Sequence, residues 1–169
     1  ISVLRQRLHK QNRKLRVVFC AYTGKAARVL RLKLLESKTT YDQDFVGTIH
    51  SLIYSPVVDE KSDEIIGWER KEALEADLII VDEASMVDSI IWNDLLSYNV
   101  PIIAVGDHGQ LPPIRGTFNL MERPHLKLEE IHRQAKENPI INLSIMARNE
   151  GKIPLGIFGK NIKKISNKD

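Results

Sequence analysis

Leu78-Ile79-Ile80-Val81-Asp82-Glu83-Ala84-Ser85-Met86 is the stretch that decides how this chain reads. Four apolar residues in a row, without alternation, predict a short strand buried on both faces. Two adjacent carboxylates follow at once. Such a pair behind a buried strand is costly unless a cation or hydrogen-bond donors take up its charge. Two uses fit. One carboxylate can hold hydrated magnesium on nucleotide phosphates while the next polarises a water. Alternatively, both stabilise the start of the following helix through its dipole.

The same grammar repeats on either side. Arg16 to Cys20 predict a second buried strand, broken by Ala21-Tyr22-Thr23-Gly24, and Lys25 to Glu36 return to helical spacing through Ala26, Val29, Leu30 and Leu34. Val87 to Leu96 predict a helix and Pro101 to Val105 a third buried strand. Residues 2–9 and 138–149 also carry helical spacing. Residues 56–72 are polar and acidic with two β-like stretches, and predict a hairpin insertion. Short apolar strands alternating with helices predict an α/β fold with a parallel sheet. In such sheets ligands sit at the carboxyl ends of the strands. Thr23-Gly24-Lys25, Asp82-Glu83 and the turn from Gly106 should therefore share one edge.

That last turn reads Val105-Gly106-Asp107-His108-Gly109-Gln110-Leu111-Pro112-Pro113. Two glycines permit an unusual backbone path and two prolines stiffen its exit. Gln110 on such a turn can contact a phosphate, position a water, or simply face solvent.

Taken together, these residues resemble the RecD-like branch of superfamily 1 helicases, a group that includes phage Dda-type helicases. Tyr22-Thr23-Gly24-Lys25-Ala26-Ala27 is similar to motif Ia, and Gly47-Thr48-Ile49-His50-Ser51-Leu52 to the Thr-Ile-His motif after it. Asp82 through Met86 resembles motif II, the Walker B segment. Gly106 through Pro113 resembles motif III, and Leu128 through Gln134 motif IV. The resemblance implies a RecA-like P-loop NTPase fold and an ATP-dependent DNA helicase that moves 5′ to 3′ along single-stranded DNA. By the same resemblance Asp82 would bind Mg2+, and Glu83 would be the general base. Gln110 and Arg133 would contact the γ-phosphate of ATP. Thr23, Gly24, Lys25, Thr48 and His50 would line the single-stranded DNA path. His50 as a core histidine and Arg133 as a surface ion-pair partner stay open as alternatives. So do a non-catalytic nucleic-acid-binding module, an RNA-directed helicase, and a motor subunit of an exonuclease V-type helicase–nuclease. Other replication or recombination proteins are further partners that the resemblance admits. The hairpin, with Trp68, is either the element that meets the duplex junction or a solvated surface loop.

Thr23-Gly24-Lys25-Ala26 is not a P-loop: that pattern needs a glycine where Phe19 stands, and a Ser or Thr where Ala26 stands. The resemblance places the P-loop before residues 1–9, and its strand mid-sheet beside the motif II strand. The expected organisation is thus a partial first motor domain over 1–135 and the opening of a second, or a linker, over 136–169. A start at Ile1 instead of Met fits a piece of something longer.

Composition agrees with a globular chain. Of 169 residues, 43% are hydrophobic and 28% charged, which excludes disorder over most of the length. No apolar run approaches the roughly 20 residues of a membrane span, so no membrane partner is expected. One cysteine, Cys20, and no signal-peptide pattern fit a reducing, cytoplasmic setting. The net charge of +3 conceals an asymmetry: Ile1 to Lys38 hold eleven Lys and Arg against Glu36 alone. A basic segment of this kind suggests either a polyanion partner or a solvated helix face. The basic tail, Lys160 to Lys168, reads as a frayed end or a cut linker in preference to a binding arm.

Overall fold

Residues Val17–Ala21 (β1) are the only strand of the described chain buried at every position, and the first compact unit is built around them. The computed structural model describes residues 1–11, 13–107, 118–128 and 139–166. The chain divides into two compact units, Ile1–Pro124 and His125–Asp169. The predicted boundary at 135 falls outside the described residues.

In the first unit, α1 (Ser2–His9) precedes β1, and α2 (Gly24–Glu36) follows it. Then come β2 (Phe45–Thr48), α3 (Ile49–Ile53), the hairpin strands β3 (Tyr54–Val58) and β4 (Ile65–Arg70), and β5 (Leu78–Asp82). A 3-10 turn (Ala84–Met86), α4 (Ser89–Leu96) and β6 (Ile102–Ala104) complete it. The sheet has the order β2-β1-β5-β6 and every pairing in it is parallel. This is the α/β, RecA-like arrangement that the sequence implies, with the hairpin as an insertion. In the second unit, α5 (Pro139–Glu150) matches the predicted helix, and an antiparallel hairpin joins β7 (Gly156–Gly159) to β8 (Ile162–Lys164). No helix among the described residues is long and apolar enough to cross a membrane.

Side chains alternate across β1, so one strand serves two cores. Val18 and Cys20 join Ile79 and Val81 of β5 under α3 and α4, against Ile49, Leu52, Ile53, Val87 and Leu95. Val17 and Phe19 join Leu78 on the other face, against Ile1, Leu30 and Leu34 of the helical layer. Burial at this depth pushes the Cys20 thiol up to about 12, so it stays protonated and inert.

Three expectations change. First, β2 and α3 are regular elements where the sequence reading saw only a motif. Second, the third strand, expected to be buried, is a half-exposed edge: Ile103 is 48% exposed. Third, no place is left for a missing strand beside the motif II strand. β5 pairs with β1 on one side and β6 on the other.

The amino edge of the sheet is locked by Asp44, whose side chain is fully buried against Arg5. Arg5 Nη2 donates to both Asp44 oxygens, at 2.5 and 2.6 Å, and Nη1 donates to the Thr39 carbonyl. Asp44 also accepts the Val17 amide at 3.1 Å and the Tyr41 amide at 2.7 Å. The basic segment is therefore not all solvated: its Arg5 is 3% exposed and belongs to the core. Asp44→Ala would strand that guanidinium, and breaking a buried pair costs about 3–5 kcal/mol. Urea unfolding followed by circular dichroism should show a loss of that size, and a loss under about 1 kcal/mol would contradict the lock.

Candidate functional site

The register of the sheet places its chemistry-bearing turns side by side. Ala21 is level with Thr48 on one neighbour and with Asp82 on the other. Thr48 and Asp82 thus stand two strand spacings apart, about 10 Å. Thr23-Gly24 continues from β1 between them, and Gly106-Asp107 continues from β6 on the far side of Asp82. All four turns leave the carboxyl edge, as the alternating pattern requires.

Each turn is built by a local device. Thr23 ends β1 and caps α2, its Oγ1 accepting the Ala26 amide at 3.2 Å. Gly24 and the exposed Lys25 then form the first turn of that helix, whose opening N–H groups have no intrahelical acceptors. Thr48 does the same for α3 through a reciprocal capping box: Thr48 Oγ1 accepts the Ser51 amide and Ser51 Oγ accepts the Thr48 amide. Both threonines, expected along a strand path, thus also serve as helix caps.

The acidic pair is not a helix cap. Glu83 makes no side-chain cap bond to the 3-10 turn after it, and the cap of α4 is Asp88, whose Oδ1 accepts the Ile91 amide at 2.9 Å. Asp82 Oδ1 accepts the Glu83 amide at 3.0 Å. Glu83 itself sits in the left-handed region with φ 54°. A non-glycine residue held there is strained, and such strain concentrates where a side chain must be aimed.

Gly106 holds the third turn against the second. A Cβ built there would lie 2.9 Å from the Ser85 amide nitrogen and 2.8 Å from the Met121 sulfur. Ala84 N–H donates to the Val105 carbonyl at 2.9 Å, and Val105 N–H donates to Val81 at 2.8 Å. The turn after β6 is therefore bonded directly to the acidic turn.

His50 lies in an aromatic cluster. Its imidazole sits 4.6 Å from the Tyr54 ring and 4.5 Å, edge-on, from the Trp68 ring. Trp68 is 53% exposed on β4. The base of the hairpin is tied to α4: Tyr54 OH donates to Asp94, Arg70 donates to Ser97, and Tyr98 OH donates to the Lys71 carbonyl. Burial, reinforced by the Asp94 carboxylate, pushes the Tyr54 phenol up to about 12. Sequence reasoning missed Tyr54 and Asp94, because nothing local links a tyrosine to an aspartate forty residues on. Gln110 and Arg133 lie outside the described residues. Among the described residues no three His, Cys, Asp or Glu side chains gather to hold a metal ion.

A family profile described as "AAA domain" matches residues 1–116. The RecBCD enzyme subunit RecD of Buchnera aphidicola (from Schizaphis graminum) is 30% identical over 157 residues, covering 81% of this chain and 25% of that protein. The ATP-dependent RecD2 DNA helicase of Deinococcus radiodurans is 36% identical over 135 residues, covering 75% of this chain and 17% of that protein. The chain thus spans a quarter or less of these relatives. Among solved structures, Bacteroides Pif1 bound to ssDNA aligns over 86% of this chain and 45% of its own, with a TM-score of 0.43 and 19% identity.

Two outcomes check this geometry. Gly106→Ala should lower stability by about 1–3 kcal/mol through overpacking against the acidic turn, read from the urea midpoint; an unchanged midpoint would mean the two turns do not touch. Glu83→Asn should keep stability within about 1 kcal/mol of the parent, because Asn tolerates the left-handed region. A larger loss in the same titration would show that the Glu83 side chain, and not its backbone, holds the turn.

Proposed function

Because the chain belongs to the AAA-domain family across residues 1–116, we propose that it forms the core of an ATP-driven motor on single-stranded DNA, of the RecD type. The observation that carries this is the shared carboxyl edge: Thr48, the Thr23-Gly24 turn, Asp82-Glu83 and Gly106-Asp107 lie on one side of one parallel sheet. The similarity to RecD and RecD2 supports DNA as the substrate, and the chain's span of a quarter or less of these relatives supports a place within a larger motor.

Asp82 would hold the hydrated Mg2+ that accompanies ATP, and the ion would supply neutralisation of phosphate charge. Glu83, aimed by its left-handed backbone, takes the proton of the attacking water. Gln110, four residues after the Gly106 that packs against the acidic turn, would report the γ-phosphate, and Arg133 would offset charge as the bond breaks. Thr23, Gly24, Lys25 and Thr48 offer phosphates a helix start and a cation, without reading sequence. His50 acts through Trp68, holding the indole edge-on at the foot of the hairpin. Movement runs 5′ to 3′, and the hairpin meets the duplex junction. Similarity to a RecBCD subunit also favours a second reading, in which the same motor serves a partner nuclease.

The chain by itself should release phosphate from ATP no faster than its Glu83→Gln variant, because it carries no P-loop lysine or cradle. In the protein that contains the P-loop, Glu83→Gln should keep ATP and DNA binding and lose turnover by about 100-fold or more. A rate within a few-fold of the parent would remove Glu83 as the base. Lys25→Ala should weaken single-stranded DNA binding alike across sequences and flatten its salt dependence by about 0.7 in log–log slope, the share of one phosphate contact. An unchanged slope in a salt titration of labelled oligonucleotides would take Lys25 off the strand path.

A further inference from the structure

Much of the basic charge of the N-terminal segment does not lie at the carboxyl edge. Residues 10–16 lead into the start of β1, and residues 39–44 lead into the start of β2, so both belong to the amino edge. β1 separates the two edges by about 16 Å. At the amino edge a pocket of about 290 Å³ is lined by Arg5, His9, Arg13, Lys14, Tyr41 and Gln43, with Leu15 as its apolar wall. Among the described residues that line it, none is acidic. The carboxylate beneath it, Asp44, is fully buried and taken up by Arg5 and two backbone amides.

Two features mark this pocket as more than a solvated basic surface. Arg5, 3% exposed, forms its floor, and the Arg5 Nε–H finds no acceptor among the described residues. A buried donor left unpaired is costly; the charge of Arg5 itself is balanced by Asp44. The Arg5 guanidinium lies 4.3 Å from the centroid of the Tyr41 ring, and Tyr41 remains 50% exposed. Arg13 and Lys14 flank it as exposed cations.

We propose that this pocket binds one nucleotide unit, its base stacked on Tyr41 and its phosphate held by Arg13, Lys14 and His9. Aromatic stacking beside flexible cations is the chemistry that grips nucleotides without reading sequence, and the pocket's volume suits a single unit. The site is separate from the carboxyl edge and stands whether or not that edge hydrolyses ATP.

Hydrogen exchange of the 169-residue chain, read by mass spectrometry with AMP or a short oligothymidylate as probe, tests this. Either probe should slow exchange in residues 10–16 and 39–44. Protection by AMP assigns the site to a free mononucleotide, and protection by the oligothymidylate alone assigns it to a strand phosphate. Segments 23–26 and 48–51 report separately on the carboxyl edge, so failure there leaves this result intact. Arg13→Ala/Lys14→Ala should abolish the amino-edge protection. It should also weaken binding of the effective probe about tenfold, and for the oligothymidylate cut the log–log salt slope by about 1.4. Tyr41→Leu should weaken binding without changing the slope. No protection with either probe, or protection that survives the double substitution, would overturn the proposal.

Discussion

The register of β1 against its two neighbours is the constraint on which the rest of the first unit depends. It is set at the amino edge by two aspartates, one from each side. Asp44, at the approach to β2, accepts the Val17 amide. Asp77, just before β5, accepts the Arg16 amide at 2.8 Å and returns its own amide to the Arg16 carbonyl. A slip of one residue would turn Val18 and Cys20 to the wrong core. It would also move Thr23 and Asp82 out of line. Pinning at one edge thereby positions the chemistry at the other. The buried Arg5–Asp44 pair is part of this pin, which explains why so costly an arrangement is kept between α1 and the approach to β2.

The carboxyl edge is in turn bonded to the hairpin along two paths. One runs from the Thr48 cap through α3 to His50 and Tyr54, and on to Trp68. The other runs from the acidic turn through α4 to Asp94 and Ser97, which receive Tyr54 and Arg70. Both meet at the base of the hairpin. The hairpin is two-stranded and carries exposed Val57, Val58, Ile65 and Ile66, so its own packing does not suffice to hold it. Its position comes from the base contacts. A shift of α4 relative to β5 would therefore be felt at the base of the hairpin.

The backbone at the acidic turn shows what aiming requires. Glu83 occupies a conformation that glycine or asparagine would adopt more readily. Gly106 is needed opposite it because any Cβ would collide with the turn. One residue accepts strain to carry a carboxylate, and the other gives up a side chain so that the neighbouring loop can approach.

By itself the sequence determined most of the element types, though not β2 and α3, together with the parallel α/β class and the edge on which the turns gather. These follow from local periodicity and length: unbroken apolar runs as short as Val17–Phe19 and Leu78–Val81, bounded by turn residues, favour strands covered on both faces. Each must also be followed by its own turn. It determined the candidate residues too, because adjacent acids after such a strand have few uses. Tertiary structure alone decided the strand order, and with it that β6 and not the motif II strand forms an open edge. It alone decided that Arg5 is core while Arg13 and Lys14 line a pocket at the opposite edge, and that His50 rests on Trp68. Those outcomes depend on contacts between residues tens of positions apart, where charge and size leave several partners equally acceptable until the sheet register selects one.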